Sequence, residues 1–392
     1  MNKNNLLKLT WISFLSYGLT GALVIVTGII LENVANYFNL SISKMSNTFT
    51  FLNAGILTAI FINSWLMEKI SLKKELIFGF ILMVVSTINL ILAKNLILFS
   101  ISMFIFGLVS GITMSIGTYL ITILYKGKIR GSKLLLTDSF FSMAGTLFPI
   151  LGGIFISHHI QWYWIYICIT LIYFIIFILT IFSDFSFIEK KNKIKLKFIF
   201  SFKEKLGFPI ILLSISALCY ILGQLSLISW LPLYVTSQFN VKMEYSSRLV
   251  SYFWTSYMIG MWVFSILLRY FNLQYTITIL TAISSYIIYL LINSTNLCMF
   301  PSYLCFLGFF SSSIYTTIIT LGSQQTKVVS PIIVNMILIF GTIGTMLTFI
   351  ITGPFVYNFG IKSALYISNI LYIIVFLLCL TLGFFSYYKI NK

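Results

Sequence analysis

Asp138 is the one carboxylate set well inside an apolar stretch, within Leu134–Ser139. Holding a charge at membrane depth costs roughly 2.5–3.5 kcal/mol on insertion scales, so such a residue usually faces a cavity and serves function. Removal from water favours the neutral acid, which makes Asp138 a candidate reversible proton carrier. Hydrogen bonding to Thr137, Ser139 or a neighbouring helix is the plainer use of the same side chain. Glu32, at the outer end of the first apolar stretch, suits a helix end or a gate.

A second constellation is neutral. Tyr220, Gln224 and Leu227 share one helix face by their i, i+4, i+7 spacing, and Trp230 follows in the same stretch. Glutamine offers both donor and acceptor, while Tyr and Trp add flat apolar surfaces with a polar edge. That mixture suits a neutral polyhydroxy or amide solute. Interhelical hydrogen bonding in lipid accounts for the same residues almost as well. Tyr257, Trp262, Tyr315, Thr316, Asn335 and Asn53 form a second tier of the same chemistry.

The third constellation is charged, Ser64-Trp65-Leu66-Met67-Glu68-Lys69-Ile70-Ser71-Leu72-Lys73-Lys74. An acid at a helix end can pair with bases or with a helix N-terminus and latch one conformation. Glu68, Lys69, Lys73 and Lys74 are therefore candidates for a cytoplasmic gate, against the plainer reading of a solvated turn. No metal or other cofactor is expected. Cys168, Cys219, Cys298, Cys305 and Cys379 sit in or at the ends of apolar stretches without ligand spacing, and His158-His159 has no carboxylate or thiol beside it. No G-x-x-x-x-G-K-[ST] loop and no nucleophile–base set is present, so neither ATP-driven transport nor an enzyme is expected.

These residues must be positioned by apolar helices. Stretches long enough to cross a ~30 Å hydrocarbon core lie near 9–31, 47–67, 76–93, 96–124, 134–156, 161–183, 209–236, 247–268, 274–293, 297–323, 331–353 and 361–386. With 59% hydrophobic and 8% charged residues, a soluble fold would lack the polar surface to cover its core. In lipid, helices satisfy their own backbone groups. The first stretch is too long for a cleaved leader and reads as a retained span.

The net charge of +17 does not announce a nucleic-acid partner. With the N-terminus inside, twenty of the 25 Lys and Arg fall in cytoplasmic segments, and Lys44, Lys94, Lys242, Arg248 and Lys362 outside. That is the positive-inside pattern. It places both termini in the cytoplasm and makes the lipid bilayer the partner. Spans one to six offer no buried arginine, and no buried Lys or Arg is expected to pair an anionic solute.

An offset of about 201 residues relates the two halves. Phe38-Asn39 becomes Phe239-Asn240, and Gly107-Leu108-Val109-Ser110 becomes Gly308-Phe309-Phe310-Ser311. Gly145-Thr146 matches Gly344-Thr345 at 199. Duplicated six-helix bundles, 1–183 and 209–392 around a basic cytoplasmic linker at 184–208, imply a solute site between the halves and alternating access.

Several stretches carry a resemblance. The Ser64–Lys74 loop resembles the signature of the major facilitator superfamily, with Glu68 for the usual Asp, Ser for both glycines and Leu72 for a base. Pro149-Ile150-Leu151-Gly152-Gly153 resembles the end of that superfamily's antiporter bend motif, with Phe148 where Gly belongs. Thr10–Gly28, Met45–Leu57, Ser110–Thr118, Thr137–Gly145, Ala217–Leu225, Ile314–Lys327 and Gly341–Phe349 resemble the TsgA-like family of bacterial inner-membrane proteins within it. Tyr220, Gly223-Gln224, Ser229-Trp230, Tyr234, Gly260 and Trp262 are more distantly similar to the fucose and glucose proton-symporter branch. Gly28 and Thr113-Met114 stand where that branch has coupling carboxylates, and Tyr257 near its arginine.

The resemblance implies an all-α integral membrane fold of twelve transmembrane helices in two pseudo-symmetric six-helix bundles. It implies a bacterial inner-membrane permease, with sugar-like substrate by analogy. The expectation is a monomeric secondary transporter for a small solute, neutral and proton-linked, with Asp138 as carrier. Export of a hydrophobic or cationic compound, or a non-transporting sensor or scaffold, are the alternatives.

Overall fold

The protein's structure, a computed structural model, describes residues 2–40, 42–92, 95–158, 160–186, 188, 207–241, 243–325 and 331–390. The linker expected at 184–208 lies, from 189 to 206, outside them. The described residues form helices and short connections, without strand. In chain order these are α1 (Lys3–Tyr37), α2 (Ile42–Lys69), α3 (Leu72–Leu92), α4 (Leu96–Leu124), α5 (Gly127–Ser157) and α6 (Trp164–Ile181). The second half holds α7 (Phe208–Phe239), α8 (Met243–Leu267), α9 (Leu273–Asn293), α10 (Phe300–Ser311), α11 (Ile314–Gln324), α12 (Pro331–Phe359) and α13 (Lys362–Ile390). Eleven described helical stretches are long and apolar enough to cross a membrane, with α10 and α11 inside one of them. The 31-residue α5 supplies the twelfth expected span.

Local chemistry sets the helix ends. Asn95 accepts the Leu98 N–H at 2.9 Å and Asn272 accepts that of Gln274 at 2.9 Å, each taking up an otherwise orphaned donor of a first turn. Pro209 and Pro301 sit in the first turns of α7 and α10, where a missing N–H removes no bond. α1 and α7 both close on an asparagine in the left-handed region, Asn39 at φ 53° and Asn240 at φ 52°. Asparagine visits that region more readily than other side-chain-bearing residues. The pair is 201 residues apart, so the repeat extends to backbone conformation.

Two compact units divide the chain: Met1–Tyr125 with Thr137–Glu204, and Lys126–Leu136 with Lys205–Lys392. α5 contributes to both. Within the first, α2 and α4 cross where Gly55 faces Gly107; a Cβ on Gly107 would collide with the Leu52 carbonyl. Within the second, α8 and α10 cross through Gly260 and Gly308, and a Cβ on Gly308 would meet the Phe253 carbonyl. Small residues let backbones approach this closely in membrane helices.

The span expected at 297–323 is not one helix. The chain turns at Ser312-Ser313, separating α10 from α11. Three consecutive serines compete for the local backbone. Ser311 Oγ donates to the Leu307 carbonyl at 2.6 Å and Ser312 Oγ to that of Phe309 at 2.7 Å. The Ser311 carbonyl is taken instead by the Tyr220 hydroxyl at 2.7 Å.

Candidate functional site

In the first unit, α5 carries Asp138 half-buried between the buried Thr137 and Ser139. The Tyr17 hydroxyl of α1 lies in electrostatic range of the carboxyl. It stands 2.7 Å from Thr118 Oγ1 on α4, and Thr118 donates to the Met114 carbonyl at 2.8 Å. Tyr17 is therefore the donor to Thr118. An acid beside an oriented phenol is a place where gaining or losing a proton is felt by neighbouring helices. Tyr17 was not among the expected residues, because a tyrosine in an apolar span carries no distinguishing signal by itself. Asn53 on α2 is half-buried.

The four expected gate residues divide. Lys69 is exposed and its Nζ sits 4.0 Å from the Trp65 ring centroid, a cation–π contact within α2. Lys73 donates to the Ile181 and Ser183 carbonyls at 2.9 and 3.3 Å, closing the C-terminal end of α6, where positive charge is favourable. Lys74 is exposed. The Glu68 side chain lies outside the described residues.

In the second unit, Tyr220 is fully buried and packs among other tyrosines. Its ring meets Tyr372 edge-on at 5.5 Å and stacks on Tyr315 at 6.5 Å, while its hydroxyl lies 3.5 Å from that of Tyr257. The cluster closes on the turn at Ser312-Ser313 through the Ser311 carbonyl. Tyr372, buried and unforeseen, also reaches Tyr220 and Ser311. Replacing Tyr220 with Phe is expected to cost about 1 kcal/mol, because a buried carbonyl loses a donor; a lowered thermal midpoint of the purified protein would register it.

Gln224, one turn on, is 4% exposed, and its Nε2 has no acceptor among the described residues. Trp230 is half-buried and donates from Nε1 to Thr352 Oγ1 at 2.8 Å. Asn335 is fully buried, Tyr257 is buried, and Tyr315 is half-buried against Gly341. Thr316 donates to the Ser313 carbonyl at 3.2 Å. Trp262 is exposed, which removes it from this group.

One expectation is overturned. Arg130, at 6% exposure, is a buried base, donating from Nη1 to the Ser323 carbonyl and Oγ at 3.1 and 2.7 Å. Nearby, Arg269 Nε donates to Ser132 Oγ at 3.1 Å and Lys128 Nζ to the Tyr270 carbonyl at 2.7 Å. The sequence placed Arg130 in a basic turn, where a solvated charge is the ordinary outcome; the helix begins earlier, at Gly127, and carries it inward.

Among the described residues no group of three or more His, Cys, Asp or Glu gathers to hold a metal ion. The described positions form two neutral polar sets, one within each unit, with a half-buried acid in the first.

Comparison with known proteins adds three findings. The family model described as Major Facilitator Superfamily matches residues 10–330. Proteins called TsgA homolog from Yersinia pestis (strain Pestoides F) and Yersinia pseudotuberculosis serotype O:1b (strain IP 31758) are each 57% identical over 389 residues, covering 99% of this chain and 98% of theirs. Among solved structures, FucP, a Major Facilitator Superfamily transporter in the outward conformation, superposes with a TM-score of 0.78 at 16% identity, over 95% of this chain and 99% of its own. The proton:xylose symporter XylE, bound to 6-bromo-6-deoxy-D-glucose, gives 0.75 at 12%, over 96% and 95%. At such identities the two structures speak to the fold alone.

Proposed function

We propose that this chain, which belongs to the Major Facilitator Superfamily, moves a small neutral, sugar-like solute across the bacterial inner membrane and links that movement to protons. It is a multi-pass membrane transporter of that superfamily rather than an enzyme. The observation that carries the solute class is Gln224: a buried amide donor without an acceptor among the described residues. Leaving such a donor unpaired costs about 1–3 kcal/mol, which a hydroxyl or carbonyl oxygen of a bound solute offsets.

The neighbouring chemistry agrees. Tyr257, Tyr315 and Asn335 add hydroxyl and amide groups to the set, while Tyr220 and Trp230, whose donors are given to Ser311 and Thr352, add flat aromatic surface. Arg130, the one buried Lys or Arg among the described residues, is occupied by Ser323. Asp138 holds the coupling proton, and Tyr17 with Thr118 carries its protonation state to α1 and α4. Asn53, on α2 of the first unit, is assigned to solute contact within that unit. Lys73 anchors α6, leaving Glu68, Lys69 and Lys74 to gate the cytoplasmic side.

The bundles are assigned to 1–183 and 209–392, joined by the linker at 184–208, with Lys126–Leu136 grouping instead with the second compact unit. The charge asymmetry supports two cytoplasmic termini, and two bundles in one chain support a working monomer.

Thermal stability of the purified protein against sugars, amino acids, nucleosides and cationic drugs, at pH 5.5 and 7.5, tests this reading. A sugar is expected to raise the midpoint of the wild type with a pH dependence that Asp138→Asn removes. Stabilisation by cationic drugs instead would turn the reading to export, with Asp138 as counter-ion. Silence across the whole panel would sink the sugar-like assignment.

A further inference from the structure

We propose that Glu75 is a second proton-binding site, lodged where α3 packs on α6 and separate from Asp138. Glu75 lies in the first turn of α3, directly after Lys73-Lys74, where a solvated acid is the ordinary expectation. It is instead 4% exposed, and both carboxyl oxygens are buried without a hydrogen-bond donor among the described residues.

The two helices packed against α3 offer no counter-charge; Lys73 and, on α1, Lys8 are given to carbonyls at the end of α6. α4 and α6, the two helices packed against α3, contain no Asp, Glu, Lys, Arg or His over Leu96–Leu124 and Trp164–Ile181. Their titratable side chains are Tyr119 on α4, with Tyr125 directly after it, and Tyr166, Cys168 and Tyr173 on α6. Tyr173 is the one in electrostatic range of Glu75, and its hydroxyl is already given to the Leu76 carbonyl at 3.1 Å. On α3 itself, Lys73 is engaged with the end of α6 and Lys74 is exposed. On α2, Lys69 lies over Trp65.

Two effects compete at this position. A helix N-terminus favours a carboxylate modestly. Burying an unpaired carboxylate costs several times more than that, so burial wins and the neutral acid is the form that fits. A single proton on the carboxyl oxygen removes the charge penalty and leaves the smaller one of a neutral polar group. Ionisation then requires water to reach the first turn of α3, which means parting it from α6. Proton release and that local opening are one event.

Linkage gives the sign. An unfolded glutamic acid ionises near pH 4.3, so around neutrality the folded protein holds a proton that the unfolded chain has released. Stability falls as pH rises wherever the folded state binds more protons.

The test is the thermal midpoint of the solute-free, full-length protein between pH 6 and pH 9, for wild type, Glu75→Gln, Glu75→Met and Asp138→Asn. The wild-type midpoint is expected to fall across this range. Both Glu75 variants lose at least half of that fall, and Asp138→Asn retains most of it. Glu75→Met keeps the test alive if the amide, with its own unpaired donors, fails to fold. A wild type that does not fall, or Glu75 variants that fall in parallel with it, overturns the proposal. Asp138→Asn acting like the Glu75 variants would assign the effect to Asp138 and overturn it too.

Discussion

Asp138→Asn is expected to abolish uphill accumulation of solute by reconstituted protein while leaving downhill exchange in place. The amide keeps the shape and the hydrogen-bonding edge of the carboxyl but cannot give up a proton. Tyr17 donates to Thr118 rather than being committed to Asp138, so the substitution strands no donor and the unit should fold. What is lost is the link between proton binding and solute binding. An uncoupled carrier only equilibrates its solute, so accumulation in an imposed proton gradient should fall to the level that equilibration alone gives. Exchange of labelled for unlabelled solute without a gradient should change little. Equal loss of both would assign Asp138 to solute contact or to folding.

The second large effect concerns packing. Gly107→Val is expected to disrupt the first unit and Gly308→Val the second, each by about 1–3 kcal/mol or more, the usual cost of forcing atoms into a filled interface. In both places the obstacle is a backbone carbonyl, Leu52 facing Gly107 and Phe253 facing Gly308, which cannot swing aside as a flexible side chain would. Gly353 makes the control, since nothing lies within 4 Å of a Cβ there. Gly353→Ala should leave folding intact or slightly improve it, removing the ~1 kcal/mol penalty of glycine in a helix. The yield of monodisperse protein and its thermal midpoint separate these outcomes. Similar losses for Gly107→Val and Gly308→Val, with none for Gly353→Ala, would show that the repeated spacing reflects a repeated contact.

Much of this architecture is legible in the sequence, because membrane helices announce themselves by length and composition. The 201-residue offset could be read from Asn39 and Asn240, and the structure gives both the same left-handed backbone. Asp138 was visible as an acid inside an apolar run. The break in span ten was not, since three serines are compatible with a helix until a tertiary donor claims a carbonyl, and Tyr220 is that donor. Glu75 and Arg130 were hidden for a related reason. Each sits at the edge of a helix beside lysines, where sequence predicts solvent, and only the neighbours that cover it reveal burial. Tyr17 and Tyr372 look like any aromatic in an apolar span; their roles are set by partners on other helices.

The proposed function joins a neutral solute and a proton in one movement. Its most direct test is to add a panel of sugars to a weakly buffered suspension of vesicles bearing the protein and record the external pH. Alkalinisation is expected on adding at least one sugar to wild-type vesicles, and none with Asp138→Asn. A wild type that takes up a sugar with no proton movement, or proton movement seen only with cationic compounds, would contradict it.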